Sequence, residues 1–397
     1  MRIAALAVAI ALGACKSSSN PDGGPFRDCT SKSDCDGDGY FIKVDDCNDD
    51  NPEINPEAYD FPDNVDNDCN GVVDDPITTC ETTGTMPMDF GRALDICAQK
   101  SKTNKSVLFD PLVRAEWGFV KGYGPGQRIW TSDTKMQQVA IAPAFGTNAA
   151  RFGKTLIGLA SGPWASPDPR NTMPLDDPMF KLGDACMDIP LLPEDCAVLS
   201  NGAPAGGISV QDWAELKLWL QVPANAHALA FDVAFFSSEF NQYWNASLND
   251  AFFVLVSSKT LDGKNVAVDS NGKAVTVNSG FFQLCPKYPG PPNLSPEKLP
   301  ALMPCVGVDG DMSQAVFGSL SGTGYDGMPV MGSNGNYYLY GGGSGWLTSH
   351  FTVTPGEQMI VRIIVHDTFD GYKDSAAIVD GMRWEPLPAS GVSRPPR

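Results

Sequence analysis

The sequence predicts a mostly-β protein: an antiparallel β-sandwich or jelly-roll-like domain, preceded by a small disulfide-stapled calcium-loop module. Three observations carry this expectation. Short runs of alternating apolar residues recur from about residue 105, parted by clusters of Gly, Pro, Asn and Asp. The 397 residues include 40 Gly and 32 Pro, which suits a loop-rich β protein, and the apolar fraction of 42% suffices for a core. The acid is localised: residues 21–75 hold 17 Asp/Glu against 3 Lys/Arg, which is −14 of the formal charge of −19. Such a balance excludes a nucleic-acid binder, which needs a basic footprint. Eleven cysteines point to an oxidising compartment.

In chain order, Met1-Arg2 opens onto an apolar run, Ile3 to Leu12, that is too short to span a bilayer at the ~20 residues required. It reads as the core of a signal peptide over 1–14. Leu12-Gly13-Ala14-Cys15 resembles a bacterial lipobox, which implies that the Cys15 thiol is lipidated and becomes the new N-terminus. Lipidation leaves ten cysteines, the even number expected of a disulfide-paired exported protein. Residues 15–28 then form a flexible polar tether. The expected location is the outer membrane or cell surface of a Gram-negative bacterium, with the lipid as the membrane contact.

Residues 29–80 form the metal module. Asp34, Asp36 and Asp38 stand at positions 1, 3 and 5 of a calcium loop, with Gly39 at the turn, the Tyr40 carbonyl at position 7 and Asp45 at position 12. A second start gives Asp46, Asn48, Asp50 and, at position 12, Glu57; a third gives Asp66, Asp68, Asn70 and, at position 9, Asp74, but fails at position 12, which is Ile77. Prolines 52, 56 and 62 interrupt any flanking helices, so the loops need disulfides and the cation itself to hold them. The segment contains no histidine, which leaves zinc and copper without imidazole ligands and makes calcium the expected cofactor. Cysteines frame the module as Cys29–Cys35, Cys47–Cys69 and Cys80–Cys97. The run Cys35 to Tyr40, with Asp46 to Asp50, Ile54 to Ala58 and Asp66 to Gly71, resembles the metal-binding repeat of bacterial surface proteins. It is also similar to thrombospondin type 3 calcium repeats. That resemblance implies metal binding and surface display.

A connector over 81–104 carries one helical pattern, Met88 to Gln99, with Phe90, Ala93, Leu94 and Cys97 on one face. The sandwich follows over 105–385, and a disordered tail over 386–397. Its clearest strands alternate Leu216, Leu218, Leu220 and Val222; Leu229, Phe231, Val233 and Phe235; and Met359, Val361, Ile363 and Val365. Trp219 is expected to pack in the core, and Cys186–Cys196 and Cys285–Cys305 pair by proximity. Ser237 to Phe240 with Leu248 to Phe253, Gly342 to Leu347, and Asp367 to Ala376 together resemble the choice-of-anchor L domain of extracellular bacterial proteins. The resemblance covers about 94–385 and implies attachment to the surface; it assigns no molecular activity.

Carboxylates gather at strand ends: Glu239, Asp250, Asp367, Asp370 and Asp374. They serve equally as a second cation cage or as turn formers. The paired cysteines leave no thiol nucleophile, Ser344 lacks the second glycine of a nucleophile elbow, and His227, His350 and His366 lie far apart. The favoured class is therefore a non-catalytic adhesion or ligand-binding module whose partner is a surface protein or glycan. The competing class is a polysaccharide hydrolase using Glu239, Asp250 or Asp370, with Tyr243, Trp244 and Trp346 as sugar-stacking rings.

Overall fold

The computed structural model describes residues 34–41, 44–75, 80, 82–100, 107–119, 138–162, 164, 210–240, 250–268, 272, 274–277, 281, 320–325, 329–331, 337–339, 341–368 and 374–393. A short helix, α1 (Pro87–Ala93), precedes β1 (Gln99–Lys100), β2 (Val107–Phe109) and β3 (Leu112–Phe119). Next come β4 (Val139–Ala142), β5 (Ala144–Phe145), β6 (Asn148–Ala149) and β7 (Leu156–Ala160). The long strands β8 (Val210–Gln221), β9 (Ala228–Ser237) and β10 (Ala251–Ser257) are followed by the short β11 (Lys264–Asn265) and β12 (Val275–Thr276). A hairpin, β13 (Pro329–Met331) and β14 (Tyr337–Leu339), leads to β15 (Leu347–Thr352), β16 (Gln358–Thr368), β17 (Ser375–Glu385) and β18 (Gly391–Ser393). Among the described residues no helix is long and apolar enough to cross a membrane.

Two six-stranded sheets make the body. One runs β11-β10-β16-β8-β3, with β12 also on β10; the other runs β18-β15-β9-β17-β7-β4. Every pairing in both is antiparallel. The period-two runs place alternate residues between the sheets: Leu216, Leu218 and Leu220 from β8, and Val361, Ile363 and Val365 from β16, meet Leu229, Phe231, Val233 and Phe235 from β9. This is a sandwich built on the side-chain alternation of each strand. A second apolar layer covers the far side of the second sheet, where Ala234, Phe236, Ala376 and Ile378 pack against Phe145, Leu320 and Tyr325. Covered on both sides, β9 is buried along its whole length.

Three sequence expectations change. The tail over 386–397, expected to be disordered, carries β18, whose Gly391, Val392 and Ser393 pair with His350, Ser349 and Thr348 of β15 and so extend the second sheet. The helix is shorter than its apolar pattern predicts, because Asp95 adopts a left-handed backbone (φ 66°) and the chain turns into β1 at Gln99. Its apolar face, Phe90, Ala93 and Leu94, joins the main core, and Phe90 meets the Trp117 ring edge-on at 4.5 Å. Trp219 is half-buried on the outer face of its sheet, between the Arg114 guanidinium at 4.6 Å and the Lys217 ammonium at 4.7 Å. Leu218 and Leu220 take the core positions on either side of it, and two cations over an indole face make the outer position favourable.

Candidate metal centre

The module is a chain of Asx turns, each carboxylate folding the backbone that follows it. Asp34 accepts the Gly37 N–H at 2.6 Å through Oδ1 and the Gly39 N–H at 3.0 Å through Oδ2. Asp36 Oδ1 accepts from Asp38 N–H at 3.2 Å, and Asp38 Oδ1 from Tyr40 N–H at 2.8 Å. The same pattern recurs further on. Asp66 accepts from Asn70 N–H at 3.1 Å and Gly71 N–H at 2.8 Å; Asp68 Oδ1 accepts from Asn70 at 3.2 Å, and Asn70 Oδ1 from Val72 N–H at 3.0 Å. Left-handed residues sit at matching places in the two loops, Gly37 and Gly39 in one, Cys69 and Gly71 in the other.

These turns occupy one oxygen of several carboxylates and leave the other buried. Asp36, Asp38, Asp46 and Asp49 each have a buried Oδ2 that no hydrogen-bond donor among the described residues reaches. Their Oδ1 atoms are engaged, Asp46 by Asn48 N–H at 2.7 Å and Asp49 by Cys35 N–H at 3.1 Å. Ligand oxygens converge within 4.8 Å in three carboxylate groups: Asp34, Asp36 and Asp49; Asp36, Asp38 and Asp46; and Asp60, Asp68 and Asp75. Burial first, then mutual repulsion with Asp38 and Asp46, raises the Asp36 carboxyl above its ordinary range. Asp46 is raised by burial and then by Asp38 and Asp49; burial likewise lifts Asp60 and Asp68. Packed carboxylates that resist ionisation are what a bound cation relieves.

The remaining expected ligands stand outside the three groups. Asp45 accepts the Phe41 N–H at 2.9 Å, and Asp74 the Asn64 N–H at 2.7 Å. Asp50 is exposed, and Asn48 enters through its backbone. Burial first, and then the hydrogen bond its hydroxyl makes to Glu57, push the Tyr40 phenol up to about 12. Asp66 and Asn70 serve their own turn, although Asn70 also donates to Asp75 Oδ2 at 3.3 Å. Asp49, Asp60 and Asp75 are the members that loop numbering misses. They arrive from neighbouring segments, and the only sequence signal for them was acid density.

Disulfides hold these segments together. Cys47–Cys69 joins the middle of the module to its third loop (Cα–Cα 5.5 Å), and Cys80–Cys97 ties its end to the residues after α1 (5.4 Å). Cys35 is disulfide-bonded too. Cys15, Cys29, Cys186, Cys196, Cys285, Cys305, Asp370, Tyr243 and Trp244 lie outside the described residues. One further proximity, Asp46 with Cys47 and Cys69, offers no thiolate, since both sulfurs are in the disulfide.

The module is docked on the sandwich. The buried Asn225, between β8 and β9, accepts the Tyr59 N–H at 3.0 Å and donates to the Tyr59 and Glu53 carbonyls at 2.9 and 3.3 Å. His227 Nε2 meets Glu53 Oε1 at 2.6 Å, and Phe61 is part of the main core.

The carboxylates at the sandwich strand ends are deeply buried: Glu239, Asp250 and Asp367 at 1% exposure or less and Asp374 at 3%. His366 is buried beside them. Its Nδ1–H donates to the Asp367 carbonyl at 3.1 Å, and burial pushes the imidazole down to about 4. Ser344 is structural: its Oγ accepts the Phe235 N–H at 3.0 Å and donates to the Gly345 carbonyl at 2.7 Å.

Residues 46–75 match one family model, Cu-binding MopE, whose description reads "Putative metal-binding motif". The match takes in the second and third loops and the Cys47–Cys69 bridge. No curated protein and no solved structure matches the chain.

Proposed function

We propose that this chain is an exported, lipid-anchored surface protein in which calcium sets the Asp-rich module against a β-sandwich that binds a surface protein or glycan without turning it over. The observation that carries the reading is the set of buried Oδ2 atoms on Asp36, Asp38, Asp46 and Asp49, each left over when Oδ1 accepts a backbone N–H, from a local turn in the first three and from the distant Cys35 in Asp49. Among the described residues, the His, Cys, Asp and Glu groups that converge outside the disulfide are carboxylates, the ligand type of a hard cation with flexible geometry. The name of the matching model points to copper, and the donors do not fit it. Copper favours imidazole and thiolate, whereas 34–75 has no histidine and its cysteines are oxidised. Against a hydrolase stands the burial of Glu239 and Asp250, since a glycosidase needs its acid pair on an open cleft. The anchor rests on Leu12 to Cys15, and the surface role on the resemblance to choice-of-anchor L domains.

Calorimetric titration of the full chain tests the metal reading. Calcium should bind with ~10⁻⁴–10⁻³ M affinity, the range of extracellular modules. Asp36→Asn or Asp46→Asn should each remove binding heat. Copper(II) taken up tightly and undisturbed by millimolar calcium would overturn it. In cells, Cys15→Ser should move the protein from membranes to the soluble fraction; retention would sink the lipid anchor.

A further inference from the structure

Calcium-loop numbering places Asp34, Asp36 and Asp38 around one ion, as positions 1, 3 and 5. The folded chain sorts them differently. Asp34 and Asp36 converge with Asp49, while Asp36 and Asp38 converge with Asp46, each set within 4.8 Å. Asp36 is the one member that these two sets share. Both sets are drawn from the same two segments, 34–38 and 46–49. The Val44, Asp45 and Asp46 N–H groups all donate to the Phe41 carbonyl, at 3.1, 3.2 and 3.2 Å, which folds the second segment back on the first. The Cys35 N–H closes the clasp on Asp49 Oδ1 at 3.1 Å.

Each set has one member sealed from water with an oxygen to spare. Asp46 is 5% exposed and Asp49 3%, and no hydrogen-bond donor among the described residues reaches the Oδ2 of either. No Lys, Arg or His among the described residues forms an ion pair with any of the five acids. Their charge therefore calls for cations from outside the chain. One divalent ion leaves three of the five negative charges unmet; two ions leave one. A single ion also serves only one set, since the two have one carboxylate in common. Asp34, Asp36 and Asp38 all precede residues 46–75, the stretch that the family model matches.

We infer that Asp34, Asp36, Asp38, Asp46 and Asp49 hold a pair of divalent oxygen-seeking cations, calcium foremost, bridged by Asp36 and taken up as a unit, which makes the module's response to calcium steep. The inference rests on the calcium reading proposed above and adds its stoichiometry and its cooperativity. The cooperativity follows from the shared parts. The first ion fixes 34–38 against 46–49, so the second enters a site already ordered and loses less conformational entropy. The charge still unmet draws the second ion in and offsets the repulsion between the two. Asp60, Asp68 and Asp75 share no member with these sets, and their ion binds independently.

The test is a calorimetric calcium titration of the full, oxidised chain carrying Asp68→Asn, which disables the separate set of Asp60, Asp68 and Asp75. In that parent the Hill coefficient should rise well above one, towards the number of coupled sites. Adding Asp36→Asn should remove two equivalents of calcium. Adding Asp49→Asn or Asp46→Asn should remove one and leave the other bound several-fold more weakly, without cooperativity. Manganese(II), which carboxylates also suit, gives a readout that needs no change at Asp36. Two manganese ions bridged by a carboxylate couple magnetically, so the loaded parent should show a coupled electron paramagnetic resonance spectrum. Asp49→Asn should replace it with the signal of isolated ions. Loss of one equivalent from Asp36→Asn as from Asp49→Asn, with uncoupled manganese, overturns the inference and leaves the calcium reading standing. Two equivalents taken up without cooperativity overturn the filling as a unit. No calcium uptake by the parent or the unaltered chain overturns the calcium reading itself, and this inference with it.

Discussion

Asp380 shows how one side chain can set a pH dependence. It is fully buried on β17, accepts the Arg151, Phe152 and Gly381 backbone N–H groups, and is still pushed up to about 6, by burial first and by Asp232 last. A carboxyl whose folded pKa is raised favours the native state while both states are protonated, below about pH 4. The benefit is lost as pH rises towards about 6, because the unfolded chain ionises first. Above that the buried charge costs on the order of 2–3 kcal/mol. Asp380→Asn should therefore gain stability relative to the wild type between pH 4 and 6 and hold the gain at pH 7, read by urea unfolding across that range. A difference independent of pH would return Asp380 to a simple hydrogen-bond acceptor. At this scale the sequence was half legible. Alternate Asp residues announced turns with inward oxygens, and Asp36, Asp38 and Asp68 do converge. Nothing local announced Asp49, Asp60 or Asp75, because their partners are brought by chain reversal rather than by spacing.

The elements of the module are loops, and loops need a framework. Asp46 and Asp68 belong to different carboxylate groups, and Cys47–Cys69 fixes the two segments that carry them. Closing a loop of that size restricts the unfolded chain by about 3 kcal/mol. Cys47→Ser with Cys69→Ser should thus weaken calcium binding at least tenfold and expose 44–75 to protease in chelator, with calcium giving partial rescue. Unchanged affinity would show that the Asx turns alone hold the ligands. Among the strands, the period-two runs of β8, β9 and β16 were plain in the sequence, whereas their order was not. β8 and β9 are consecutive yet belong to opposite sheets, and a repeating apolar pattern reads the same whichever neighbour it pairs with. The helix was over-read for a related reason: its apolar spacing continues past Leu94, but one left-handed residue, Asp95, stops it.

For the whole molecule, module and sandwich share a core. Phe61 is 1% exposed and packs within the same cluster as Phe90 and Leu229. Phe61→Ala should cost about 3–5 kcal/mol. It should also lower calcium affinity, since docking and ligand geometry depend on the same segment. Calcium should raise the unfolding temperature of a single transition in the wild type, because a ligand that binds only the native state stabilises whatever unfolds with its site. Two transitions, with only the first sensitive to calcium, would make the module an independent unit. None of this coupling was readable beforehand. Asn225, the residue that grips Tyr59 and Glu53, looks in sequence like an ordinary turn asparagine.

That grip has a mechanical meaning. Asn225 sits in the short link between β8 of one sheet and β9 of the other. A pull arriving from the N-terminal side through Tyr59 is therefore handed to both sheets at their junction. The covalent path beyond the module leads into the edge strand β3, so the Asn225 bonds, together with that between His227 and Glu53, must give way before β3 can be unzipped from the edge. The load is shared between the layers, and the molecule yields, when it does, by giving up many bonds together.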